Sequence, residues 1–139
     1  MSWDVIIMRL PAEIRSYDDL GAAPGNLLLP LGAPQQVRQQ VSEVFGGTDW
    51  TDPAWGTWRG EEGSIEFGLE GDREDEVESL MLHVRAEEAV AARILSLAER
   101  HGWRALDTTT CEFLAGQQPA LGLSRWRAFR DRVLRRGES

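Results

Sequence analysis

SIEFGLEGDREDEVESLMLHVR, residues 64–85, is two alternating segments around a charged middle. In the first, Ile65, Phe67 and Leu69 fall on one side, with Ser64, Glu66 and Gly68 on the other. In the second, Leu80, Leu82 and Val84 alternate with Met81, His83 and Arg85. Successive strand side chains point to opposite faces, so the spacing predicts two half-buried strands, with GDREDEVE as the turn of a hairpin. One face of this hairpin is apolar, and the other presents Glu66, Met81, His83 and Arg85.

Upstream, SWDVIIMRL reads as a strand whose unbroken apolar run, Val5 to Met8, predicts a central position buried on both sides. Pro11 ends it, and a loop rich in Gly, Pro and Asp runs from Tyr17 to Gly32, anchored by Leu27, Leu28 and Leu29. Pro34 suits a first helical position, Val37, Val41, Val44 and Phe45 recur at helical spacing, and Gly46-Gly47 supplies the stop. Thr57 to Arg59 reads as a short strand. Downstream, Glu87 and Glu88 open a second helix, where negative charge suits the macrodipole. Its stripe is Val90, Ile94, Leu97 and Ala98, and Gly102 closes it. Trp103 to Thr108 is a last strand, with Glu112 to Leu114 extending or following it.

This order predicts an α+β domain over residues 1–115: one antiparallel or mixed sheet of four to five strands with two helices on one face, ferredoxin-like in its rhythm. Residues 116–139 form an Arg-rich appendage, predicted to be a helix capped by Ser124 with Leu123, Trp126, Phe129 and Val133 on one stripe. That stripe is expected to dock on the chain's own core or on a second copy, which makes a homo-oligomer possible through this helix. Without such cover the second face of the sheet is open.

Charge divides the same way. All fifteen basic residues are Arg, and the chain carries −8 at pH 7. Residues 1–115 hold nine Arg against 21 acids, a net −12, while residues 116–139 hold six Arg against two acids, a net +4. An acidic body disfavours nucleic acid and anionic membrane surfaces. Lysine is absent, which removes Schiff-base chemistry and a P-loop. One cysteine, Cys111, excludes an internal disulfide and a multi-Cys zinc site. The first residues lack a signal-peptide pattern and no apolar run approaches about 18 residues, so the expectation is a cytoplasmic protein.

Four constellations could carry chemistry. TDWTDPAWGTW, Thr48 to Trp58, could stack a ligand on Trp50 or Trp55 with Asp49 or Asp52 orienting it. The competing expectation is a turn set by Asp52 and Pro53, with indoles packed on the core and locking the first helix to the sheet. Glu66, His83 and Arg85 could serve acid–base work or form cross-strand ion pairs. Cys111 follows a predicted strand rather than opening a helix, which argues against a reactive thiol. The run Asp72, Glu74, Asp75, Glu76 and Glu78 lacks the glycine and oxygen spacing of a calcium loop, so it reads as a solvated, negative patch suited to a basic protein. No cofactor or metal is expected.

Taken together, SWDVIIMRL, GTDWTDPAWG, SIEFGLEG, SLMLHVR and GWRALDTTTCEFL resemble a family of small uncharacterised bacterial proteins over roughly residues 2–114. The resemblance implies no activity. It marks Trp50, Asp52, Pro53, Trp55 and Gly56 as a signature turn, and Cys111 stands where the similar pattern carries glycine. In size and charge such proteins are similar to immunity proteins of bacterial toxin systems. The expected function is therefore non-enzymatic: an acidic surface that binds a basic protein, such as a nuclease-like toxin, using Trp50, Asp52, Trp55, Glu66, the acidic run, His83 and Arg85. The alternative is a small-ligand or enzymatic role at the open sheet face, which a deep cleft lined by Glu66, His83, Arg85 and the tryptophans would favour.

Overall fold

Buried and accessible side chains alternate along the long strands, and this alternation sorts the chain into a covered and an uncovered sheet face. The computed structural model describes residues 2–14, 16, 18–19, 29–71 and 73–114. Its elements are β1 (Trp3–Met8), α1 (Pro34–Val44), β2 (Asp49–Asp52), β3 (Trp55–Gly60), β4 (Gly63–Glu70), β5 (Ser79–Ala86), α2 (Ala89–Arg100), β6 (Arg104–Asp107) and β7 (Glu112–Phe113). They form one sheet in the order β2-β3-β4-β5-β1-β6-β7, with every neighbouring pair antiparallel.

The expected sheet of four to five strands, antiparallel or mixed, is thus corrected: the described residues make seven strands, all antiparallel. Two local reversals account for the excess. The Asp52 carboxylate accepts the Ala54 amide at 2.9 Å and turns the Trp-rich segment back on itself at Pro53–Ala54, so β2 and β3 form a hairpin with an irregular register. At the other edge, buried Asp107 accepts the amides of Thr109 at 2.7 Å and Thr110 at 3.3 Å. The Cys111 amide donates to the Asp107 carbonyl at 2.8 Å, and Cys111 takes φ +56°. The chain therefore reverses, and Glu112–Phe113 becomes a separate strand instead of extending β6. Asp72, Leu27, Leu28 and the predicted C-terminal helix lie outside the described residues.

Both helices cover one face. Val37 and Val41 of α1 and Val90, Ala91, Ile94, Leu97 and Ala98 of α2 join Trp3, Val5, Ile7, Ile65, Phe67, Leu80, Leu82, Val84 and Ala105 in one buried cluster. Each fully buried Leu, Ile or Phe contributes about 1.5–3 kcal/mol relative to exposure. The Phe45 ring, just past α1, meets Trp58 edge-on at 5.2 Å and Phe67 at 5.4 Å. Arg93 of α2 spans the Phe45 and Trp58 rings at 4.7 and 4.9 Å and donates to the Val44 carbonyl at 2.6 Å, which ties α2 to the end of α1.

β1 is central but not buried on both sides, because Asp4 and Ile6 on its second side are only half-buried. The chain after β1 covers one end of that second face. Leu10 and Ile14 fold over Met8 and Leu106, with Ile6 and Phe113 packed against them. Arg104 lies over the Phe113 ring at 4.2 Å and donates to the Ile14 carbonyl at 2.9 Å. The part of the second face over β3, β4 and β5 has no such cover from the described residues. Among those residues no helix is long and apolar enough to cross a membrane.

Candidate functional site

The β2–β3 hairpin sends its tryptophans to different sides. Trp58 pairs with Ile65 and is buried in the main core; Trp55 pairs with Gly68 and lies on the opposite face, 39% exposed. Trp50 packs its ring onto Gly56, where a Cβ would come within 2.6 Å of the indole. Its Nε1 donates to Ser42 Oγ on α1 at 3.0 Å, and its ring lies 6.4 Å from Phe67. Trp50 and Trp58 are thus packing residues, and Trp55 is the ring that protrudes. Asp49 Oδ1 accepts the Thr51 hydroxyl at 2.6 Å and the Thr51 amide at 2.8 Å. These donors, the hydroxyl foremost, hold the Asp49 carboxyl below its ordinary pKa. Asp52 is exposed and engaged in capping the turn.

On the uncovered face, register brings the candidate residues together: Glu66 opposite His83, Ser64 opposite Arg85, and Gly68 between Trp55 and Met81. Arg85 donates to Glu66 Oε1 at 2.8 Å. His83 Nδ1 lies 2.9 Å from Asp4 Oδ1, which also accepts the Ser2 hydroxyl at 2.5 Å. The Trp55 ring stacks on His83, with centroids 5.6 Å apart and planes 29° apart. Gly68 permits this, since a Cβ there would stand 3.0 Å from the indole. The face is therefore two rows: an apolar one of Trp55, Gly68, Met81 and Ile6, and a polar one of Thr57, Glu66, His83 and Asp4. Asp4 was not read from the sequence as a site residue. Its signal is its alternation with Trp3, Val5 and Ile7, which the apolar run after it conceals.

The acidic turn is held in place. The Val77 amide donates to the Gly32 carbonyl and the Leu31 amide to the Val77 carbonyl, both at 2.8 Å, so the turn pairs with the segment that enters α1. The Glu78 amide donates to the Glu70 carbonyl at 2.8 Å. Between this turn, α1 and the β2–β3 turn lies a groove of about 310 Å³. Pro34, Pro53, Ala54, Leu69 and Val77 supply its apolar lining, and Glu70, Glu74 and Glu76 its carboxylates. Two arginines border it: Arg38 donates to the Pro53 carbonyl at 3.2 Å, and Arg73 reaches Glu76 at 3.9 Å. Asp75 and Glu78 adjoin it in sequence. Glu74 and Glu76 were legible in the sequence; Glu70, Pro34, Arg38, Leu69 and Val77 were not, because the groove exists only once the segment that enters α1 pairs with Val77. None of Glu66, His83 or Arg85 lines it.

Elsewhere, Cys111 is exposed in the β6–β7 turn, and the His101 ring meets Trp103 at 4.7 Å, tilted by 37°, past the end of α2. No hydrogen bond joins Cys111 to His83 or His101. Among the described residues no three His, Cys, Asp or Glu side chains converge on a metal position. Comparison of the chain with protein-family models, curated proteins and solved structures finds no match.

Proposed function

We propose that this chain is a non-enzymatic binding domain that docks a basic protein partner through its acidic body, in the manner of an immunity protein blocking a nuclease-like toxin. The groove beside the acidic turn carries this reading. An apolar lining rimmed by Glu70, Glu74 and Glu76 suits a basic side chain, whose methylene stem packs on Leu69 and Pro53 while its head meets carboxylates. A toxin that grips phosphates is itself basic, so a negative field steers the encounter and the anchored cation slows release. The backbone pairing of Val77 with Leu31 and Gly32 keeps the turn preformed, which lowers the ordering cost of binding. Trp55 adds one exposed aromatic anchor of the kind enriched at interfaces.

The catalytic alternative has less support. Glu66 is taken up by Arg85, His83 by Asp4, and the groove lies away from both pairs. To test the binding reading, cationic nuclease domains are titrated calorimetrically against the full chain at about 50 mM and about 500 mM NaCl. Binding that weakens with salt, and weakens further in Glu70→Gln/Glu74→Gln, supports it. No binding at either salt, or binding indifferent to both salt and the double variant, refutes it.

A further inference from the structure

We infer that Arg73 is a tethered competitor at the groove: its guanidinium loosely holds the Glu76 carboxylate in the free chain and gives way to an arginine side chain of the partner. The inference rests on the binding reading above, and adds to it the identity of the anchor and a control over its entry. The groove already shows which head group reaches its acids, since Arg73 lines it and its Nη1 stands 3.9 Å from Glu76 Oε2. That separation is long beside the closed pairs Arg85–Glu66 at 2.8 Å and Arg93–Glu62 at 3.2 Å. The Arg73 side chain is 72% exposed, and an exposed pair favours its closed form by only about 1.4- to 5-fold. Arg38, the other bordering arginine, is different: it donates to the Pro53 carbonyl at 3.2 Å and belongs to the wall.

The backbone around this pair is fixed, so only side chains need to move. Val77 is paired with Leu31 and Gly32, and the Glu78 amide donates to the Glu70 carbonyl at 2.8 Å. A Cβ on Gly71 would stand 3.0 Å from the Glu76 carbonyl oxygen, so the turn closes on itself tightly. Arg73 and Glu76 lie three residues apart on that turn, which keeps the guanidinium near its carboxylate at a high effective concentration. A loose cation must outcompete it, whereas a cation presented by a docked protein has further contacts to help it in. The groove, at about 310 Å³, is at the low end of small-ligand sites and has room for one side chain. Its acids stand at separate backbone positions, Glu70 at the end of β4 and Glu74 and Glu76 on the turn. Arginine's planar fork engages two carboxylates at once, and its weak hydration suits the Pro53 and Leu69 lining. The ammonium of lysine is compact and strongly hydrated. Arginine is therefore the anchor, and Arg73 marks its place.

The test is calorimetric titration of the full chain and its variants with the cationic nuclease domains. Arg73→Gln is expected to tighten binding about two- to six-fold, because it frees the carboxylate that the closed pair occupies. In a Glu76→Gln background the same substitution is expected to lose more than half of that gain. Arg59→Gln makes the same charge change opposite Ser64, about 20 Å along β4 from Glu70, and is expected to give no gain. A gain kept in the Glu76→Gln background, or matched by Arg59→Gln, overturns the inference in favour of through-space repulsion. So does an unchanged or weaker Arg73→Gln complex; salt-sensitive binding of the parent chain then leaves the binding reading standing. The same chains are titrated with the peptide acetyl-Gly-Arg-Gly-amide and its lysine counterpart, followed by the Leu69 and Val77 methyl signals in NMR. The arginine peptide is expected to bind more tightly than the lysine one, and more tightly still to Arg73→Gln. Equal binding of the two peptides, or no shift from either with Arg73→Gln, overturns the inference. Peptides that behave as expected while no nuclease domain binds uphold the arginine site and refute the partner class.

Discussion

Gly56→Ala probes whether the Trp-rich hairpin is scaffold or ligand platform. The added Cβ would lie 2.6 Å from two ring carbons of Trp50 and 2.8 Å from a third. Carbon atoms in contact sit at about 3.5–4.0 Å, so the indole must move by about 1 Å. It cannot do so freely, because its Nε1 is bonded to Ser42 on α1 and its ring packs near Phe67. Overpacking costs about 1–3 kcal/mol, and a lost hydrogen bond about 0.5–1.5 kcal/mol. Replacing glycine within a strand returns about 0.5–1 kcal/mol. The net expectation is a loss of about 2 kcal/mol. Urea unfolding should show a lower midpoint at unchanged slope. The decisive comparison is the double-mutant cycle: once Trp50→Ala has removed the ring, Gly56→Ala should become neutral or stabilising. A cost of the same size in both backgrounds would refute the account, as would a Gly56→Ala protein within about 0.5 kcal/mol of the parent.

Cys111→Gly should leave stability unchanged or raise it by up to about 1.5 kcal/mol. The left-handed φ of +56° costs a side-chain-bearing residue about 1–2 kcal/mol, and glycine gives back about 0.4–1 kcal/mol of that through its looser unfolded chain. Cys111→Val should be clearly destabilising in the same urea assay; the reverse ranking would contradict the turn geometry. Thr51→Val should raise the Asp49 pKa toward its ordinary value of 3.8. A depressed folded pKa contributes stability above the unfolded value and loses it as pH falls through the folded one. The parent should therefore lose this contribution between about pH 3.8 and the depressed folded pKa, and the variant should lack it; an unmoved Asp49 titration by NMR would refute the assignment.

Legibility in the sequence followed the strength of the periodic signal. Ser64–Glu70 and Ser79–Ala86 alternate over eight-residue strands, and the structure places Ile65, Phe67, Leu80, Leu82 and Val84 on the buried face that the alternation demands. α1 and α2 were readable from Val37 and Val41 and from Val90, Ile94 and Leu97 at helical spacing. β2 was missed because its burial pattern is nearly all exposed: Asp49, Thr51 and Asp52 face water, and only Trp50 turns inward. A strand two residues long, such as β7, has no period at all. Its existence depends on the Asp107 carboxylate capping the turn before it, a tertiary fact written as an ordinary Asp-Thr-Thr. The site was legible in proportion. Register alone unites Glu66, His83 and Arg85, but Asp4 joins them across 79 residues, and the groove needs the segment that enters α1 to pair with Val77.

Where charge remains uncompensated follows from this same register. Across the sheet, an acid on one strand meets a base on the next: Asp4 with His83, and Glu66 with Arg85. Such pairs have little field beyond a Debye length of about 8 Å, and partly exposed ones contribute about 0–1 kcal/mol each. The Glu66–Arg85 pair cancels its own charge, and the Asp4–His83 hydrogen bond occupies both side chains. At the β4–β5 turn the pairing rule no longer applies, and Glu74 and Asp75 are exposed, with Arg73 and Arg38 the arginines among the described residues that border the groove. The excess of acids over bases in the body must therefore act from the turns and sheet ends. Long-range attraction belongs to the end of the molecule that carries the groove, and short-range apolar contact to the face that carries Trp55. A basic partner would be drawn to the first and held by contact with the second.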